Sequence, residues 1–119
     1  MGILILAFAV SACAHSTVKP LIDTRPAVNV QELEGRFRFP KCVVSVPLTQ
    51  DQAIASAGSV GAPRINERQE WRELTEKIAP GDELRHVWCM PRRGRGGVDL
   101  VGLFRGKHLL AEVHTVFVD

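Results

Sequence analysis

The strongest constraint on the fold lies in the C-terminal third of the chain, where apolar and polar residues alternate through three successive segments. Residues 83–90, 98–104 and 108–118 each show the period of two that is typical of a β-strand with one buried face. Gly106-Lys107 lies between the last two segments and is a signal for a tight hairpin. The pattern therefore predicts a three-stranded antiparallel meander.

An amphipathic helix is predicted over residues 66–78, directly before the meander. Apolar residues recur there at helical spacing and define one buried stripe, which comprises Trp71, Leu74 and Ile78. Asn66 is placed to cap the N-terminus of this helix. A helix that covers one face of the following sheet is the simplest way to bury both apolar surfaces.

The preceding segment adds further elements. Aromatic and β-branched residues over 36–47 predict one strand, or two that are separated at Pro40. Thr49 is placed to cap a short helix over residues 50–57. We therefore expect an α+β fold, with a short helix and an amphipathic helix packed on a small antiparallel sheet of three to five strands. A chain of 119 residues has room for one such domain, expected over residues 32–119.

The N-terminus begins with an apolar run of eight residues, 3–10. This run is much shorter than the ~20 residues of a membrane-spanning helix, and its length is typical of the apolar region of a signal peptide. The residues that follow it, Val10-Ser11-Ala12-Cys13, resemble the lipobox of bacterial lipoproteins. The run is preceded only by Met1 and Gly2, so the usual Lys or Arg is lacking. A buried N-terminal strand or helix is the alternative interpretation.

The lipobox resemblance implies a location and a domain order. Residues 1–12 would be a signal peptide, Cys13 would carry the lipid, and residues 13–31 would include a flexible tether. The protein would then be anchored to a membrane and face the periplasm of the bacterial envelope. Ala14 after the lipidated cysteine implies the outer membrane, by the sorting rule of enterobacterial lipoproteins.

Lipidation of Cys13 would also account for the odd number of cysteines, which is three. The other two, Cys42 and Cys89, would then be left either as a disulfide pair or as two buried free thiols. An oxidising periplasm permits the bond. Their wide spacing, without neighbouring ligands, disfavours a zinc site.

The C-terminal part, from Trp71 onward, resembles small uncharacterised proteobacterial proteins that have a PGDEL turn and a glycine-rich hairpin. That resemblance implies a shared fold and no known activity. Residues 49–118 also loosely resemble the small outer-membrane assembly lipoproteins in the order of their helices and strands, with Gly61-Ala62-Pro63 approximating a glycine-x-proline signature.

A basic, glycine-rich loop is the most conspicuous candidate for binding. Residues 91–97, PRRGRGG, contain Arg92, Arg93 and Arg95, and guanidinium groups on such a loop could grip phosphates or an acidic protein surface. The alternative is a solvated loop whose charges only oppose aggregation. In the envelope the available anions are lipid headgroups, lipopolysaccharide phosphates and acidic protein surfaces, so no nucleic-acid partner is expected.

The evidence for catalysis in the sequence is weak. Of the four histidines, His86 could meet His108 or His114 across the sheet, but no metal-binding spacing accompanies them, and surface or partly buried positions are expected. Ser45, Ser56 and Ser59 lack the surroundings of a nucleophile. We expect no catalytic residue, no metal and no cofactor. Asp82 could form an acidic rim with Glu83 or bond to turn amides, and the turn is the simpler interpretation.

These observations predict a non-enzymatic binding or scaffold module of the cell envelope, anchored by lipid at Cys13. Its expected partners are an envelope protein or anionic lipid. The alternatives are an inhibitor or immunity-type protein that docks a loop into a periplasmic enzyme, and a small histidine-dependent hydrolase.

Overall fold

The computed structural model describes residues 20–94 and 96–115. Four antiparallel strands form one sheet in the order β1-β2-β3-β4, namely Lys41–Val44, Glu83–Met90, Val98–Arg105 and His108–His114. The helices are α1 (Val30–Phe37), α2 (Gln50–Ser59) and α3 (Gln69–Glu76), with a 3-10 turn at Ile65–Glu67. The expected α+β fold is confirmed.

Helices cover both faces of the sheet, and each face has its own apolar core. On the face that we call the α2/α3 face, the helices pack on strand residues Leu84, Val101, Leu103 and Val113. The helical side of this core comprises Ala53, Ala57, Trp71 and Leu74. The opposite face, the α1 face, is formed by Val44, Val87, Leu100 and Phe104, which pack with Leu33 of α1. Both alternating sets of strand side chains are therefore buried.

The predicted meander is present and its register is regular over most of its length. β2 spans the predicted residues 83–90, and β3 ends one residue later than expected. Gly106 adopts a φ of 62° in the turn between β3 and β4, a conformation that glycine tolerates without strain. β4 ends at His114, and residues 116–118 of the predicted strand lie outside the described residues.

The prediction of a strand from residue 36 is wrong, because the chain is helical there until Phe37. The side chain of Asn29 accepts a hydrogen bond from the N–H of Glu32 and so caps α1. Arg38 ends the helix in the left-handed conformation, with a φ of 61°. Strand β1 begins only at Lys41, after Pro40. The strand propensity of residues 36 and 37 was therefore outweighed by the helix, because α1 is capped at its N-terminus and buries one side against the sheet.

The two other helices differ in how well the sequence located them. Thr49 caps α2 as expected, since its hydroxyl accepts from the N–H of Gln52 and the Gln52 side chain accepts from the N–H of Thr49. The single helix expected over 66–78 is wrong: a 3-10 turn precedes α3, and Arg68 between them is extended. The guanidinium of Arg68 donates to the carbonyls of His114 and Thr115, which ties this interruption to the end of β4.

Residues 21–23 lie along the outer edge of β1. The N–H of Asp23 donates to the carbonyl of Val44, and the N–H of Val46 donates to the carbonyl of Leu21. Ile22 forms an antiparallel bridge with Ser45. These contacts place the chain from residue 21 onward on the folded domain, whereas the sequence suggested a tether over 13–31; residues 13–19 lie outside the described residues.

A disulfide joins Cys42 and Cys89, which are direct partners in the β1–β2 register. Both residues are buried in the core of the α1 face. The bond connects the short first strand to the meander across a sequence separation of 47 residues. Because β1 has only four residues, this link holds it where few backbone hydrogen bonds could.

Replacing Cys42 and Cys89 together by alanine should lower the free energy of unfolding by about 4 kcal/mol, the chain-entropy value for a loop of this length. Denaturant unfolding with and without reductant measures the effect. The parent protein should lose stability on reduction, and the variant should be insensitive to reductant. An unchanged unfolding midpoint in the variant would contradict a stabilising bond.

Asp82 closes the turn before β2, as the simpler interpretation of the sequence predicted. Its carboxylate accepts from the N–H of Ala79 at 2.9 Å and from two guanidinium nitrogens of Arg105, at 3.0 and 2.8 Å. The hydrogen bond from Arg105 is the main reason that the pKa of Asp82 lies below its usual value of 3.8. The same contact raises the pKa of Arg105.

Stability should therefore depend on Asp82 in acid. Since the pKa of this carboxyl is lower in the folded state, its stabilising effect is complete above about pH 4 and is lost as pH falls through the folded-state pKa. In Asp82→Asn, the decrease in melting temperature below pH 4 should be smaller than in the parent. Asp51→Asn, a change at an exposed carboxylate of α2, is the control and should keep the parent's acid dependence. Identical acid profiles for the parent and Asp82→Asn would refute the assignment.

Candidate functional site

A groove of about 370 Å³ opens on the α2/α3 face, at the end of the sheet that the helices leave uncovered. Its lining is apolar except for one carboxylate, Asp99, and comprises Pro20, Ile22, Val43, Trp88, Cys89, Met90, Gly97, Val98 and Asp99. Two large apolar side chains that line it, Ile22 and Met90, are 54% and 43% exposed. This groove is the candidate functional site.

Gly97 lies where β3 approaches β2 at the side of the groove. A Cβ atom at this position would lie 2.6 Å from the carbonyl oxygen of Cys89, closer than such atoms can approach. Glycine therefore lets the loop that follows Met90 return tightly against the strand. The arginine loop, residues 91–97, leaves and rejoins the sheet at residues that line the groove.

Behind the groove, His86 is completely buried and forms a chain of hydrogen bonds. Its Nε2 lies 2.5 Å from Oδ1 of Asp99 and donates to it, because a carboxylate only accepts, and in the neutral ring Nδ1 then accepts from the hydroxyl of Ser56. The hydroxyl of Thr115 also donates to Oδ1 of Asp99, at 2.6 Å. One chain of contacts thus runs from α2, through the imidazole, to the carboxylate that lines the groove.

The Ser56–His86–Asp99 chain contains the residue types of a hydrolytic triad in a different arrangement. In serine hydrolases the nucleophilic hydroxyl contacts Nε2 of the histidine and the carboxylate contacts Nδ1. Here the two ring nitrogens exchange these partners. Ser56 also has no exposed surface, so its hydroxyl has no access to a substrate in this structure. The arrangement fits a structural network that satisfies buried polar groups.

The histidines that the sequence singled out are not brought together. His86 is opposite Val101, and Val101 is opposite Val113, so His86 lies on the α2/α3 face. His114 is the neighbour of Val113, and its ring contacts Phe37 of α1 on the other face. His108 is exposed and contacts Glu32. The expected surface or partly buried position is wrong for His86, and His15 lies outside the described residues.

The other candidates from the sequence have different outcomes. Arg92 and Arg93 are exposed on the loop beside the groove. Arg95 and Cys13 lie outside the described residues. Cys42 and Cys89 are bonded, as one of the two interpretations of the sequence required.

A buried arginine on the α1 face, Arg85, holds the N-terminal segment against the sheet. Its Nη1 donates to Asp23 and to the carbonyl of Ser45, at 2.9 and 3.0 Å, and its Nη2 donates to Glu83 at 2.9 Å. The hydrogen bond from Arg85 is the main cause of a pKa of Asp23 below its usual value. This cluster positions the chain that leads to Pro20 and Ile22, and hence one wall of the groove.

The groove and its carboxylate were missed in the sequence because Asp99 belongs to no motif. One signal was available. Trp88 and Asp99 lie on neighbouring strands in which apolar and polar residues alternate, and the register of the two strands makes them direct partners. Trp88 stacks on His86 with ring centroids 4.4 Å apart and an interplanar angle of 6°. That contact covers one side of the indole, and the ring's remaining surface lines the groove.

A scan of the chain against protein-family models matches no family, and searches of curated proteins and of solved structures find no match to it. Within residues 20–94 and 96–115, no three His, Cys, Asp or Glu side chains are grouped so as to hold a metal ion. No helix among the same residues has the length and apolar character needed to cross a membrane.

Deleting the Ser56 hydroxyl should destabilise the fold, because Nδ1 of His86 loses its donor in a site closed to water. We expect Ser56→Ala to lower the free energy of unfolding by about 1–3 kcal/mol, the cost of leaving a buried polar group unsatisfied. Thr75→Ala is the matched control, since that hydroxyl bonds only to the carbonyl of Arg72 within α3. Equal effects of the two changes in denaturant unfolding would argue against the network.

Proposed function

We propose that this protein is an exported, lipid-anchored binding module of the bacterial cell envelope, with no enzymatic activity. Cys13 carries the lipid, the residues up to about 20 connect it to the domain, and the domain faces the periplasm. The outer membrane is the proposed location, because Ala14 follows the lipidated cysteine. The groove lined by Trp88 is the recognition surface.

The observation that carries this proposal is the apolar groove beside an exposed arginine loop. Pro20, Ile22, Val43 and Met90 present apolar surface that the described helices do not cover. Arg92 and Arg93 extend from the strand that carries Met90. Apolar surface rimmed by polar residues is typical of an interaction site. The two features share one end of the sheet and form a single surface.

The disulfide supports the proposed location. Structural disulfides form and persist in oxidising compartments such as the periplasm, and they are rare where thiols are kept reduced. Cys42 and Cys89 are buried and directly paired in the sheet, so their bond belongs to the folded core. This argument is independent of the lipobox, and both favour export.

The exposed loop also supports a second candidate, an inhibitor or immunity-type protein. Arg92 and Arg93 project from a short connection between two strands that are fixed by pairing with each other and by the Cys42–Cys89 bond. A rigid frame that presents charged side chains is suited to docking into the cleft of an acidic enzyme. The histidine-dependent hydrolase receives no support, because His86 is buried and His114 is on the other face.

Intact mass spectrometry of the protein from its own membrane fraction tests the lipid anchor. The mass should lack residues 1–12 and carry acyl chains on Cys13, with two hydrogens fewer than the dithiol form. The matched control, Cys13→Ser, should lack the acyl chains and leave the membrane fraction. A full-length, unmodified protein from the membrane fraction would overturn the proposed anchor.

The arginine loop should contribute to retention on the envelope. Replacing Arg92, Arg93 and Arg95 by serine should reduce the binding of the unlipidated domain to envelope fractions, with the largest difference at low salt. The control replaces Arg25, Arg64 and Arg72 by serine, which changes the net charge equally at exposed positions away from the groove. Equal retention of the two triple variants would exclude a specific role of the loop.

A further inference from the structure

We propose that the Trp88 groove is a binding site for a small amphiphilic organic ammonium ion, a molecule with an apolar body and one cationic amine. The inference rests on the proposed function only in that it takes the groove as the recognition surface. The class of ligand is inferred from the lining of the groove, which consists of apolar walls, one indole and one carboxylate. Neither the lipid anchor nor the arginine loop is part of the argument.

The carboxylate is placed for a ligand. Oδ1 of Asp99 accepts from both His86 and Thr115, and no hydrogen bond from any residue of 20–94 or 96–115 reaches Oδ2. The side chain of Asp99 keeps 13% of its surface exposed, and it lines the groove. Two donors on one oxygen fix the orientation of the group, so a ligand meets a carboxylate that is already positioned. A positive charge is the complement of such a group.

The indole of Trp88 provides the second element of cation recognition. A ring stacked against His86 on one side is held in place, and its remaining surface faces the groove. Aromatic faces attract ammonium groups through the ring quadrupole, and tryptophan does so most strongly. Trp88 and Asp99 are direct partners across β2 and β3, so a single ammonium group between them can contact both.

The size and walls of the groove define the rest of the ligand. A volume of about 370 Å³ lies at the lower end of the range for small-molecule sites. Pro20, Ile22, Val43 and Met90 offer apolar contact and no further charge. A flat or branched apolar body therefore fits beside the amine. Arg92 and Arg93 do not line the groove, and exposed charges are screened by solvent and salt.

Three probes that share a phenylethyl body test the proposal on the unchanged full-length mature chain: 2-phenylethylammonium, 2-phenylethanol and 3-phenylpropanoate. Isothermal titration calorimetry measures affinity, and the indole N–H resonance of Trp88 reports the place of binding. We expect the cation to bind about tenfold more tightly than the neutral alcohol, as a cation–π contact and a charge-assisted hydrogen bond together allow. The anion should bind most weakly.

Two variants locate the selectivity. Asp99→Asn keeps an oxygen that can accept from His86 and Thr115, and it should remove the preference for the cation over the alcohol. Trp88→Leu leaves the Asp99 contacts in place, and it should lower the affinity for the cation more than the affinity for the alcohol. Asp82→Asn, at a carboxylate outside the groove, is the control and should bind all three probes as the parent does. The comparison of probes on the parent decides the proposal even where a variant fails to fold.

The outcomes separate this inference from the proposed function. Equal affinity for cation and alcohol, or tightest binding of the anion, would overturn the ammonium site and leave the groove as a recognition surface. If none of the probes binds, the ammonium site is wrong, whereas the recognition surface is tested separately by retention on envelope fractions. Probe binding that appears only after removal of residues 116–119, or only when a dimer dissociates, would assign the groove to the chain's own end or to a second copy, and would also overturn the proposal.

Discussion

The burial of His86 beside Asp99 is the constraint on which the α2/α3 face depends. An imidazole and a carboxylate cannot leave water without partners, because each unsatisfied group costs several kcal/mol. Their partners come from separate elements: Ser56 from α2, Asp99 from β3 and Thr115 from the chain just after β4. Ser45, at the end of β1, accepts from the backbone N–H of His86. Apolar packing alone would allow α2 to slide along the sheet, whereas these directional contacts define one position.

The same network connects the core to the candidate site. Asp99 takes part in both, since one of its oxygens is held by the core and the residue lines the groove. Trp88 has the same double role, because the ring that stacks on His86 also lines the groove. The site is therefore built from two strands of the sheet, and its polar group needs no rearrangement before a ligand arrives. A rigid first contact of this kind reduces the ordering cost of binding.

The sequence predicted what depends on local periodicity. The meander, the hairpin at Gly106, the cap at Thr49 and the turn role of Asp82 all follow from neighbouring residues, and all are present. Helix α1 was missed and its last two residues were predicted as strand, because Phe37 and Phe39 alternate like strand residues while the cap at Asn29 lies eight residues before Phe37. The pairing of Trp88 with Asp99 and the burial of His86 depend on strand register and on contacts across the fold. Such contacts are absent from any local motif, so the groove was not predicted.

The docking of residues 21–23 on β1 determines how the domain responds to a pull on its N-terminus. A load applied before Pro20 reaches first the two backbone hydrogen bonds of this segment and the contact between Asp23 and Arg85. The next element along the chain, α1, packs on the sheet through Leu33, and it is followed by β1, which is covalently joined to β2 through Cys42 and Cys89. Tension would therefore detach residues 21–23 first, would act next on α1, and would stop at the disulfide. Since Pro20 and Ile22 form one wall of the groove, the same pull would remove that wall and so link mechanical load to binding.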